Sequence, residues 1–296
     1  MGTLLGATGT AILVLLVGSL PWAGFGRVSG LGAWNLRVGI LLPWAVVPMA
    51  LYLWLYFGYI GGRWGDANAA RRRENLKANP VPRALWVTAI PAGLAGFGAI
   101  LALLAVFARL VPLPAGAPIT TPAGMPVATT CALLAMQSVV AGVTEESAFR
   151  GYMQSIVARR FGVPVAITAS GILFGLLHFP NHPSEVVLML PYYVAVSAVY
   201  GALTWAADSI WPAIVLHSVG DVVVLMRWWL TGLPEWQLTA TPPTLVRDGG
   251  IDASFIGTLG VAVFLSGLTV WAYGRVNQLR LRLSAAPGLR ARERSV

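Results

Sequence analysis

The chain has 296 residues, of which 57% are hydrophobic and 10% charged, and its mean hydropathy is +0.72. Soluble domains carry roughly 25% charged residues, so this composition indicates a polytopic membrane protein and excludes an ordinary soluble one. The net charge of +9 does not favour nucleic-acid binding, because Arg and Lys gather in two segments instead of alternating with aromatic residues. The single cysteine, Cys131, excludes an internal disulfide and a CxxC metal site.

Eight apolar runs predict an all-α protein of about eight transmembrane helices with an intramembrane cavity. A helix needs about 20 apolar residues to cross a hydrocarbon core of roughly 30 Å. The first run lacks the basic start and the A-x-A site of a signal peptide, so we expect it to remain as a span. The runs lie near 3–25, 36–61, 84–112, 127–149, 164–180, 185–206, 210–231 and 252–274.

Two basic segments predict how the chain is oriented in the bilayer. One lies between the second and third runs, at 63–83, and the other is the tail at 275–296. Because basic loops stay on the cytoplasmic side, both segments and both termini are expected there. A composition rich in Ala, Gly and Arg favours a bacterial plasma membrane. Without repeats or a soluble segment, we expect one helical membrane domain over 1–296, with a motif-bearing core at 127–231.

Charged residues stand in or beside the fourth apolar run, where they are unfavourable. The sequence there is Glu145-Glu146-Ser147-Ala148-Phe149-Arg150. One acidic or basic residue at the centre of a membrane helix costs roughly 2.5–3.5 kcal/mol on insertion scales. Residues four apart share a helix face, so Glu146 is expected to pair with Arg150. A chain that keeps such residues is expected to use them.

Two histidines follow in similarly apolar surroundings. Phe174 precedes His178 by four residues, and His217 precedes Asp221 by four, so each pair shares one face of its helix. Gly162-Val163-Pro164 carries the signature of a helix stop and restart. A hairpin turning there places Glu145 and His178 at equal heights, roughly 24 Å from the turn.

A carboxylate opposite an imidazole, with a second imidazole nearby, suits a hydrolase. The carboxylate takes a proton from water, and an imidazole stabilises the oxyanion that forms. Burial alone would keep the carboxyl protonated, and the positive charge of Arg150 opposes this. We therefore predict that Glu145 remains usable as a base.

The three patterns resemble the motifs of a known family. Between 145 and 221 the chain carries EExxxR, FxxxH and HxxxD in that order. In this it is similar to the CAAX protease and bacteriocin-processing family of intramembrane glutamic endopeptidases, whose eukaryotic members are the type II CAAX prenyl endopeptidases. The predicted eight helices also look like the fold of that family.

The resemblance implies a role for each matched position. Glu145 would activate the attacking water, and His178 would assist that water or the scissile carbonyl. His217 and Asp221 would form the oxyanion-binding side, while Glu146 and Arg150 would shape and polarise the site. Many members carry Asn where this chain has Asp221, and Asp donates a hydrogen bond only when protonated. We therefore expect Asp221 to orient His217.

The predicted function is intramembrane cleavage of a membrane-anchored or lipidated peptide or protein, with the bilayer as surroundings and no cofactor. One alternative keeps the fold and binds zinc through Glu145, His178 and His217, although Arg150 would repel the cation. Another alternative is a scaffold or transporter that cuts nothing, because buried ionisable groups also mark transport pathways. The charged pairs could also have a purely structural role. Glu146 and Arg150 would then form an exposed pair at the membrane interface, and His217 and Asp221 would make a polar contact between helices.

Overall fold

The computed structural model of the chain describes residues 2–25, 43–64, 66–114, 118–121, 123–178, 186–234 and 236–285. Within these ranges it is all-helical, with no strand, so the predicted fold class is confirmed. The elements are α1 (Gly2–Phe25), α2 (Val46–Ile60), α3 (Ala69–Leu76), α4 (Arg83–Leu110), α5 (Val127–Glu145), a π-helix (Glu146–Met153), α6 (Gln154–Phe161), α7 (Val163–Leu176), α8 (Val186–Ala207), α9 (Trp211–Thr231), α10 (Val246–Gly249) and α11 (Ala253–Ala285).

Six of the described helical segments are long and apolar enough to cross a membrane, judged by length and composition. Helices α2 and α7 are apolar as well, but they have only 15 and 14 residues. At 1.5 Å per residue, α7 reaches about 21 Å, which is short of the roughly 30 Å hydrocarbon core. The predicted count of eight spans is therefore not confirmed. The starts of the second and sixth predicted spans, and the end of the fifth, lie outside the described residues.

The long helical segment over 127–161 contacts several other helices of the bundle. Helix α5 runs beside α9, the π-helix lies against α1, and α6 turns back into α7. The turn is at Gly162, whose φ of +83° suits glycine, and Pro164 opens α7. The predicted helix hairpin is thus confirmed. Helix α7 packs along α8, and the α4–α11 pair packs against α8 on the far side.

One end of the bundle is basic, and we call it the basic end. Lys77, just after α3, and Arg280 of α11 both approach Asp208, at 3.0 and 3.8 Å. Arg159 of α6 donates a 2.6 Å hydrogen bond to Asn75 of α3. Arg72 donates to both carboxylate oxygens of Asp66 and holds the pKa of that carboxyl below its usual value. The described parts of the two basic segments therefore lie at the same end.

Helices α5 and α9 approach so closely that only glycine fits between them at Gly142. A Cβ built there would lie 3.0 Å from the Ser218 nitrogen and 3.1 Å from the Ile214 oxygen, both of them backbone atoms of α9. Small residues of this kind allow membrane helices to pack backbone against backbone. The contact sets the height of the neighbouring His217 relative to α5.

We expect Gly142→Ala to lower the free energy of unfolding by about 1–3 kcal/mol, because the added methyl group pushes α9 away from α5. Thermal unfolding in a mild detergent measures the effect. Gly267→Ala on α11 is the matched control, since a Cβ there meets no atom within 4 Å. Equal unfolding temperatures for the two variants would contradict the close contact.

Candidate active site

The motif that begins at Glu145 lies at the junction of an α-helix and a π-helix. Glu145 is the last residue of α5, and Glu146 to Met153 form the π-helix, whose eight residues are all buried. A π-helix makes i→i+5 hydrogen bonds, so its turn is wider than that of an α-helix, and such segments are frequent at functional sites. Its wider turn changes the directions of Glu146 and Arg150 relative to Glu145.

Glu146 and Arg150 form a salt bridge that solvent does not reach. The Arg150 Nη1 atom lies 3.1 Å from Glu146 Oε1, and both side chains are fully buried. The guanidinium also lies 4.7 Å from the ring centre of Phe174 and 5.6 Å from that of Tyr200. Aromatic faces attract cations at such distances. The predicted pairing of Glu146 with Arg150 is confirmed.

His217 lies among three carboxylates. Its Nδ1 atom is 2.7 Å from Glu146 Oε1, while its Nε2 atom is 3.7 Å from Glu145 Oε2 and 3.6 Å from Asp221 Oδ2. The ring stacks on Tyr200 with 7° between the planes. His217 is therefore oriented by the hydrogen bond that its Nδ1–H donates to Glu146, whereas the sequence suggested Asp221 for this role. Asp221 is on the opposite side of the ring.

His178 lies in the turn after α7 and is held by that helix and by an aromatic ring of α8. Its Nδ1 atom lies 2.7 Å from the carbonyl oxygen of Phe174. The Phe174 ring meets the imidazole edge-on at 4.8 Å, so Phe174 supports His178 as expected. On the other face Tyr193 of α8 stacks at 4.3 Å. Since a carbonyl only accepts, the proton is assigned to Nδ1, which leaves Nε2 of the neutral ring as an acceptor.

Two cavities meet at Glu145, and we call them the α1 cavity and the α4 cavity. The α1 cavity has a volume of about 320 Å³ and lies between α1, α5 and α7. The α4 cavity, of about 100 Å³, lies between α4, α8 and α9 and also reaches His217 and Asp221. Glu145, Phe174 and His178 line both cavities, whereas the fully buried Glu146 lines neither.

The structure brings every residue of the predicted site together. Glu145, His178, His217 and Asp221 all border the α4 cavity, and Glu146, Arg150 and Phe174 support them. Sequence reasoning missed Tyr193 and Tyr200. Their spacing of seven residues puts both on one face of α8, and that spacing is the signal that could have found them.

The three residues of the zinc alternative, Glu145, His178 and His217, do not form a recognisable metal site in the described part of the chain. In the part of the chain that the structure describes, no group of three or more His, Cys, Asp or Glu side chains is arranged to hold an ion. The Nδ1 atom of His217 is engaged by Glu146, an arrangement also common in histidines that bind a metal through Nε2. The Arg150 cation lies next to that carboxylate and opposes the binding of a second cation nearby.

Comparison with known families agrees with the motifs. The family described as Type II CAAX prenyl endopeptidase Rce1-like matches residues 127–223. The resemblance to the CAAX proteases is confirmed over these residues. The Rce1-like segment runs from the start of α5 into α9 and contains all seven predicted site residues. The match covers about a third of the chain and shows similarity to this family over these residues. No curated protein and no solved structure is significantly similar to the chain.

We expect Arg150→Met to be strongly destabilising, by about 3–5 kcal/mol, because it leaves the Glu146 carboxylate buried without its cation. Thermal unfolding in detergent measures the loss. The matched control is Arg247→Met, which removes an exposed partner of Asp248 and should cost less than about 1 kcal/mol. A small loss at Arg150, similar to the control, would show that the buried charges are not coupled.

Proposed function

We propose that the chain is an intramembrane endopeptidase in which Glu145 activates the attacking water. The observation that carries this proposal is the difference in accessibility between the two adjacent carboxylates. Glu145 borders both cavities and its side chain is 23% exposed, whereas Glu146 is sealed and holds His217 and Arg150. Only a carboxylate that water and substrate can reach serves as the general base.

In this proposal His178 helps to position the water. Its Nδ1–H donates to the Phe174 carbonyl, so the Nε2 lone pair accepts a hydrogen bond from a water in the cavity. Glu145 accepts the other proton of the same water. With both hydrogens engaged, a lone pair of the water oxygen points at the scissile carbonyl carbon.

His217 is proposed to stabilise the oxyanion. Glu146 accepts from Nδ1, and in the imidazolium form Nε2 carries a proton that it donates to the developing negative charge. Asp221, 3.6 Å from Nε2, favours that imidazolium and needs no proton of its own to do so. In this arrangement Asp221 has a role as a negative charge beside His217, at a position where many related proteins carry Asn.

The proposed reaction is ordinary amide hydrolysis. Glu145 removes a proton from water, and the oxygen adds to the carbonyl carbon to form a tetrahedral intermediate. Its oxyanion accepts a hydrogen bond from His217. The C–N bond then breaks, and the proton held by Glu145 passes to the leaving amine, so the carboxylate is regenerated.

The proposed substrate is a membrane-anchored or lipidated peptide that enters the α1 cavity. That cavity is lined by Leu15 and Leu16 of α1 and by Leu177, which follows the last residue of α7, so it accepts apolar groups. The family description makes a prenylated protein one candidate. We place the basic end in the cytoplasm of a bacterial cell by the positive-inside rule, with both termini on that side.

We expect Glu145→Gln to lower the cleavage rate by about 10²–10⁴-fold while the folded yield stays unchanged, because the amide cannot take a proton from water. Product formation from a library of membrane-anchored peptides, measured by mass spectrometry, tests this. Asp248→Asn, at a distant exposed position, is the matched control.

Two outcomes would count against the proposal. Turnover by Glu145→Gln equal to that of the unaltered protein would remove the glutamate mechanism. Specific binding of peptides without any product from the unaltered protein would favour the scaffold alternative.

The metal-free mechanism also predicts that activity survives a chelator. Metal analysis of the purified protein, before and after chelation, is paired with the cleavage assay. We expect less than one zinc per chain and unchanged turnover. Stoichiometric zinc whose removal stops cleavage would instead support the site at Glu145, His178 and His217.

A further inference from the structure

A third cavity opens at the basic end, apart from the α1 and α4 cavities. Its volume is about 320 Å³, and it shares no lining residue with either of them. It lies between the end of α3, the π-helix, α6 and the end of α8. We call it the basic-end cavity, and its lining residues are Glu74, Lys77, Arg150, Gln154, Ser155, Ala158, Arg159, Val163, Thr204 and Trp205.

Three lining side chains are buried with a polar atom left unpaired. Ser155, Thr204 and Gln154 are 3%, 0% and 5% exposed. Their atoms Ser155 Oγ, Thr204 Oγ1 and Gln154 Oε1 have no hydrogen-bond partner among the described residues. The Gln154 amide nitrogen is anchored to the Gly201 carbonyl at 2.9 Å, which fixes the side chain. A polar group that is buried without a hydrogen bond is unfavourable, so a ligand that accepts hydrogen bonds from the Ser155 and Thr204 hydroxyls recovers energy.

Hydrogen-bond donors predominate in the basic-end cavity. Arg150 closes it on the inside, and apart from the ion pair of Nη1 with Glu146, its guanidinium nitrogens have no hydrogen-bond partner in the described part of the chain. Lys77 and Arg159 border the mouth, where Glu74 is the one lining carboxylate and pairs with Arg159 at 3.4 Å. Hydroxyls, a guanidinium fork and nearby cations together suit an anion rich in oxygen.

The position of the cavity indicates where such an anion comes from. Trp205, at its mouth, is 43% exposed, and tryptophan is enriched where hydrocarbon meets the headgroups. Basic pockets between membrane helices at this depth bind lipid headgroups. We propose that the basic-end cavity binds the phosphate group of an anionic phospholipid, which accepts hydrogen bonds from Ser155, Thr204 and Arg150. Free phosphate offers the same oxygens, and the test separates the two sources.

The test measures the unfolding temperature of the full chain in non-ionic detergent and does not depend on cleavage. Three compounds are titrated separately: short-chain phosphatidylglycerol, short-chain phosphatidylcholine and inorganic phosphate. We expect phosphatidylglycerol to raise the unfolding temperature and to saturate, because a ligand that binds the folded state stabilises it. Phosphatidylcholine, which carries no net charge, should have little effect. A rise with inorganic phosphate alone would support free phosphate as the ligand.

Ser155→Ala and Thr204→Val connect the effect to the cavity. Because each removes an unpaired hydroxyl, neither should lower the unfolding temperature without lipid. Each should raise the half-saturating concentration of phosphatidylglycerol about tenfold. Ser170→Ala is the matched control, since the buried Ser170 hydroxyl donates to the Ile167 carbonyl and does not line the cavity. It should leave lipid binding unchanged.

Three results would overturn the proposal. The first is no saturable rise with phosphatidylglycerol or phosphate. The second is an equal rise with phosphatidylcholine, which would indicate a general lipid effect. The third is unchanged half-saturation in both Ser155→Ala and Thr204→Val. Loss of cleavage in Glu145→Gln has no bearing on any of these, so the two proposals fail independently.

Discussion

A carboxylate that solvent does not reach, Glu146, connects three parts of this protein. One of its oxygens lies 2.7 Å from the His217 ring and 3.1 Å from the Arg150 guanidinium. Arg150 in turn lies over Phe174 of α7, whose carbonyl oxygen accepts the hydrogen bond from His178. The positions of both histidines therefore depend on one buried charge cluster. Because removing any one charge from such a cluster leaves another uncompensated, the cluster favours a single arrangement of the helices.

Backbone packing supports the same arrangement. Gly142 lets α9 lie directly against α5 one turn before Glu145, and the π-helix that follows widens the turn at the point where two acidic residues must take different directions. One carboxylate then faces the cavities, while the other faces the interior of the bundle. Two neighbouring residues of the same type thus acquire different surroundings from backbone geometry alone.

The sequence predicted the features that depend on local spacing. Pairing of Glu146 with Arg150 follows from i,i+4 geometry, and the α6–α7 hairpin follows from Gly162 and the proline after it. The π-helix was not predictable in this way, because residue spacings of three and four indicate an α-helical period and do not reveal a wider turn. For the same reason the sequence did not indicate that Glu146, and not Asp221, holds Nδ1 of His217. The lengths of α2 and α7 were also missed, since hydropathy shows where apolar residues lie and not where a helix ends.

The position of Glu145 between the α1 and α4 cavities bears on what kind of bond can be presented to it. A single blind pocket would accept only the end of a chain, so that cleavage would release one residue at a time. Here there is space on either side of the carboxylate, about 320 Å³ in the α1 cavity and about 100 Å³ in the α4 cavity. For the proposed reaction this arrangement favours an internal peptide bond, with the larger cavity accommodating the bulkier side of the cut.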